Sequence, residues 1–79
     1  MANLRIGVVG CGRIGKLHID NLINAVPGVE VIAVADPMID KSGAREWCAQ
    51  RGLTNVSADF MDVVNNPDVD VVFVCSSTD

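Results

Sequence analysis

Leu4-Arg-Ile-Gly-Val-Val-Gly-Cys-Gly-Arg-Ile-Gly15 is a short apolar run that ends in three spaced glycines. Its apolar part, Ile6 to Val9, reads as a buried strand, and the residues after Gly12 read as the start of a helix. Gly10, Gly12 and Gly15 have the Gly-x-Gly-x-x-Gly spacing, and each has its own task. The first makes the tight turn, the second leaves bare backbone for a pyrophosphate, and the third lets helix and strand pack closely. A helix beginning near Arg13 presents unpaired N–H groups and the positive end of its dipole, so a diphosphate is the expected occupant.

Seven glycines among 79 residues can fall into that spacing by chance, and the bland reading is a purely structural βα turn. The surroundings decide between them. A second apolar run, Val29 to Ala35, ends in Asp36, 21 residues beyond Gly15, close to the ~20 expected of a carboxylate that holds a ribose. Such a carboxylate accepts hydrogen bonds from ribose hydroxyls and repels a 2′-phosphate, which favours NAD over NADP. Pro37 and Met38 follow instead of an arginine, while Lys41 and Arg45 lie near enough to keep dual use open.

Outward from this core the chain alternates strands and helices. The first helix is predicted over Arg13 to Ala25, with Gly15, Ile19, Leu22 and Val26 facing a sheet and Pro27-Gly28 as its stop. Strand two is Val29 to Ala35, apolar nearly throughout, as suits a strand covered on both faces. Asp40 can cap a second helix with Ala44, Trp47 and Cys48 inward, and Gly52 can close it with Leu53 folding back. A weak third strand, Thr54 to Val56, precedes Ser57, which can cap a short helix carrying Phe60, Val63 and Val64 on one side. The run Val69 to Cys75 is a strong fourth strand that delivers Ser76-Ser77-Thr78 to its carboxyl end. The fold class is α/β: a Rossmann-type parallel sheet in the order 3-2-1-4 with helices on both faces, the first part of a doubly wound domain.

Composition agrees. The chain is one domain at most, 49% apolar and only 4% aromatic, and a chain of this length buries about 60–65% of its unfolded surface. A formal charge of −4 with no basic run or aromatic platform argues against a nucleic-acid surface. No apolar run approaches the ~18 residues of a membrane span, and Met1 to Leu4 leaves no room for a signal peptide, so the expected location is cytoplasmic. Cys11, Cys48 and Cys75 lack metal-ligand or redox-motif spacing and read as free thiols, with no metal site expected. Cys11 lies where a helix N-terminus can depress a thiol pKa, though a small loop residue is the plainer reading. His18, the only histidine, falls one turn into the first helix and is expected to pack beside the sheet.

Taken together, Arg5 to His18, Val34 to Pro37 and Asp70 to Asp79 resemble the glucose-fructose oxidoreductase / inositol dehydrogenase / MocA family over the whole chain, most closely its inositol dehydrogenase branch. The resemblance implies hydride transfer between a nicotinamide and a ring hydroxyl of a polyol or sugar. It also implies Gly10, Gly12, Arg13, Ile14 and Gly15 at the pyrophosphate, Asp36 at the ribose, and Ser76, Ser77 and Thr78 beside the nicotinamide half. The family's catalytic lysine motif and substrate domain lie beyond the matched residues, so no catalytic residue is carried over. Residues 1–79 are therefore expected to form the N-terminal part of a dinucleotide-binding domain, to bind without turning over, and to self-associate through the uncharged edge of strand four. A free-standing NAD-binding or redox-sensing module is the alternative, and the openings of homoserine dehydrogenase and dihydrodipicolinate reductase are similar.

Overall fold

The computed structural model describes residues 3–75. In chain order these form β1 (Leu4–Val9), α1 (Arg13–Ala25), β2 (Val29–Ala35), α2 (Ala44–Ala49), β3 (Val56–Ser57), α3 (Met61–Val64) and β4 (Val71–Val74). All neighbouring strands are parallel and the sheet order is β3-β2-β1-β4, as expected of successive crossovers from a central first strand. Among the described residues no helix is long and apolar enough to cross a membrane.

The bounds of α1 and β2 coincide with the sequence expectation, because glycines and Pro27 punctuate continuous apolar patterns there. The α2 region also ends as expected. Gly52 takes a left-handed φ of 76°, its N–H donates to the Ala49 carbonyl, and Leu53 N–H reaches back to the Cys48 carbonyl, which closes the last carbonyls of the turn. One irregularity shapes the sheet. The β1–β2 register slips between Ile6 and Gly7, which pair with Val31 and Ala33, so Ile32 is skipped. Val31 and Val34 therefore join the larger core cluster, while Ile32 and Ala33 fall to the smaller one.

Several expectations need correction. Asp40 does not cap α2; it pairs with Arg45 Nε at 2.7 Å, and Gly43 with φ 73° stands at the helix start, after a turn that buries Ile39. The third strand is Val56–Ser57 rather than Thr54 to Val56, because the ladder forms where β2 ends: Val34 and Asp36 N–H groups donate to the Asn55 and Ser57 carbonyls. Ser57 accepts the Asp59 N–H but α3 begins only at Met61. In α3 only Val63 is buried; Phe60 and Val64 are turned outward. Val26 is exposed, since the chain leaves the helix there in extended conformation. His18 is also exposed rather than packed beside the sheet. The fourth strand is Val71–Val74, shorter than Val69 to Cys75, although Asp70 and Cys75 N–H groups still bond to β1 carbonyls at its two ends.

Candidate functional site

The carboxyl ends of the central strands converge on the glycine loop. Gly10 follows β1 with φ 98°, a conformation that side chains resist, and its N–H donates to the Ala35 carbonyl at 2.7 Å. Gly12 stands at the start of α1 with an ordinary φ of −81°, so the left-handed turn is made at Gly10 and not at Gly12. Among the described residues no side chain caps α1 and no acid lies in its first turn, which leaves its N-terminal dipole uncompensated by protein carboxylates on that turn. Arg13 and Ile14, in the same turn, are exposed. Gly15 is buried, and a Cβ there would be driven into the Gly10 carbonyl. Its bareness lets the helix close on the loop.

Asp36 binds that loop directly. Its Oδ2 accepts the Cys11 N–H at 2.6 Å and its Oδ1 accepts the Met38 N–H at 2.7 Å. The acid that ends β2 and the loop that ends β1 are thus one hydrogen-bonded unit. Between them lies a cleft of about 320 Å³ whose wall includes Gly10, Gly12, Asp36, Met38, Phe60 and Cys75. An open α/β sheet is expected to bind ligands at this edge. Lys41 is exposed, and Arg45 is occupied by Asp40 and by the Val56 carbonyl at 3.2 Å. Ser76, Ser77 and Thr78 lie outside the described residues.

Two features escaped the sequence. Phe60, expected on the inner side of α3, instead lines the cleft. Cys11 is buried with its Sγ 3.9 Å from that of Cys48 on α2. Its thiol is pushed up, not down, by the hydrogen bond to Cys48 and by burial, which outweigh nearby Lys16. The available signal was indirect: Cys48 was expected on the inner face of α2, and the loop feeds a helix in the same layer.

Residues 4–79 match the family described as an oxidoreductase family with an NAD-binding Rossmann fold. The chain is 43% identical over 74 residues to an inositol 2-dehydrogenase of Ralstonia nicotianae, covering 92% of this chain and 21% of that protein. It is 36% identical over 72 residues to an uncharacterized oxidoreductase, YrbE, of Bacillus subtilis, covering 91% and 20% respectively. A solved structure of myo-inositol dehydrogenase from Lactobacillus casei in complex with NAD(H) and myo-inositol matches with a TM-score of 0.79 at 39% identity, over 96% of this chain and 22% of that one. The chain spans only a fifth of the length of the curated relatives it matches.

Proposed function

The chain belongs to this oxidoreductase family with an NAD-binding Rossmann fold, and on that premise we propose that it is the N-terminal dinucleotide-binding part of a dehydrogenase that moves a hydride between NAD and a ring hydroxyl of an inositol-like polyol. The observation that carries this reading is the 2.6 Å bond between Asp36 Oδ2 and the Cys11 N–H. It holds the acid suited to a ribose against the loop suited to a pyrophosphate, and these are adjacent groups of one dinucleotide. The polyol half of the proposal draws on the inositol dehydrogenases among the similar proteins.

The residues present fit NAD. Bare backbone at Gly10 and Gly12 and the Asp36 carboxylate, with lone pairs to spare, line the cleft, and the first turn of α1 at Arg13, Ile14 and Gly15, which follows directly, holds no acid. When bound, the nicotinamide supplies the hydride acceptor or donor. In this reading the glycine loop fixes the diphosphate, Asp36 orients the ribose, and Ser76, Ser77 and Thr78 border the nicotinamide half. Removal of the hydroxyl proton is assigned to no residue of this chain.

Calorimetric titration with NAD and NADP tests the proposal. NAD is expected to bind more tightly than NADP. Gly12→Val, which fills the bare backbone, should weaken NAD at least a hundredfold, about 2.7 kcal/mol. Asp36→Ala should erase the preference between the cofactors and weaken NAD about tenfold, because it also releases the loop. Tighter NADP binding by the unsubstituted protein, or unchanged affinity in a folded Gly12→Val variant, would overturn the assignment.

A further inference from the structure

Cys11 and Cys48 come from the glycine loop and from α2, yet their Sγ atoms lie 3.9 Å apart in a shared S–H···S hydrogen bond in which either can donate. Both side chains are in the core, and Cys11 also forms part of the cleft wall, so a small solute in the cleft has a short path to the pair. The hydrogen bond from Cys11 and the positive field of Arg51, Lys16 and Arg45 hold the Cys48 thiol below its ordinary pKa, whereas Cys11 is held above its own. The first proton therefore leaves the pair with the charge on Cys48, and the remaining proton sits between the two sulfurs. Cys75, also buried, is pushed up by burial alone. From this juxtaposition we propose that Cys11 and Cys48 are a redox dithiol that hydrogen peroxide closes to a disulfide, and that the closed form withdraws the glycine loop from the cofactor cleft.

The second half of the proposal rests on the NAD reading of the cleft; the first half does not. A disulfide needs its sulfurs about 2.05 Å apart, so the two must approach by about 1.9 Å. Cys48 is anchored in a helix whose next turn hangs on its carbonyl, accepting from Leu53 N–H at 3.0 Å. Cys11 is flanked by Gly10 and Gly12 and its backbone is tied to Asp36 by the hydrogen bond that its N–H donates, so the loop is the part that yields. Drawing Cys11 toward α2 pulls its N–H off Asp36 and turns the bare backbone of the loop inward.

The chemistry balances with peroxide as the oxidant. The Cys48 thiolate, with the remaining proton on Cys11, attacks a peroxide oxygen. An S–O bond forms, the O–O bond breaks, and hydroxide leaves. Cys11 sulfur attacks the resulting sulfenic sulfur, forming S–S and breaking S–O, and the second oxygen departs as water with the Cys11 proton. Two electrons pass from the sulfurs to the peroxide.

The test is to oxidise the protein with hydrogen peroxide, remove the excess, and read three quantities. Intact mass should fall by two hydrogens, thiol titration in denaturant should fall from three groups to one, and a peptide map should join Cys11 to Cys48. NAD titration of the same sample should show affinity at least tenfold weaker, restored by dithiothreitol. Cys48→Ala should bind NAD as the parent does when reduced and give no two-hydrogen loss. Three surviving thiols, or a link through Cys75, overturns the dithiol; a Cys11–Cys48 link with undiminished NAD affinity overturns the gating. A reduced protein that binds no NAD overturns the cofactor reading, and with it the gating, while mass and thiol count still decide the disulfide by themselves.

Discussion

On one face of the sheet α1 and α2 enclose Ile6, Val8, Val31 and Val34 together with Ile19, Leu22, Ala44 and Cys48, whereas on the other the single turn of α3 sends Val63 down onto Val9, Ala33 and Ala35. The side chains explain the asymmetry. The first face presents large β-branched residues that need two helices to cover them, while the second presents Gly7, Ala33 and Ala35, which let a short helix come very close. Along β4, Val72 and Val74 on this second side remain 36% and 71% exposed. The glycine loop grows out of the thick face, through Cys11 and into α1, so the site is joined to the better-packed side.

The widest separation between the faces should come from adding one methyl group to each. Gly15→Ala drives a Cβ into the Gly10 backbone, which has no rotamer to change, and should cost about 4 kcal/mol in urea unfolding or prevent folding. Gly7→Ala meets the Val63 and Val69 methyls instead of backbone, and should cost about 1–3 kcal/mol. Equal losses would break the comparison. A second pair removes rather than adds: Ile19→Ala on the thick face should cost about 3–4 kcal/mol by the same measurement, and Val63→Ala on the thin face about 2 kcal/mol. If Val63→Ala proves the costlier, α3 is a keystone and not a light cover.

The smallest effect concerns how β4 is tied to the sheet. Asp70 accepts the Arg5 N–H at 2.8 Å and Arg5 Nε at 3.4 Å, and these bonds hold its carboxyl below the ordinary carboxylate range. A depressed folded pKa means that the stabilisation is complete above the ordinary value and disappears as pH falls through the depressed one. Asp70→Asn should therefore lower the thermal midpoint at pH 7 by less than either core truncation, with the gap to the parent closing in acid. A gap that persists undiminished at the lowest pH would assign the loss to packing instead.

The thick face was the legible one. Strands β1 and β2 and helix α1 are written as uninterrupted apolar patterns between glycines and a proline, and local rules place such segments well. Asp36 and the glycines were equally readable because their spacing is itself the signal. The thin side was harder: β3 has two residues and α3 four, too short for periodicity to speak, so Phe60 was misplaced and β3 shifted. Asp40 failed as a cap because Arg45, five residues on, competes for its carboxylate. The contact of Cys11 with Cys48 was invisible for a different reason, since it depends on how the glycine loop and α2 meet within one layer and on no local pattern.

The two bonds of Asp36, one to the loop and one to its own turn at Met38, also decide when conformational freedom is lost. A loop left slack would surrender its disorder on meeting a ligand, and that loss would be subtracted from the affinity. Here the ordering accompanies folding, so a ligand arriving at Gly10 to Gly12 finds the backbone already shaped and weak interactions count at nearly their full strength.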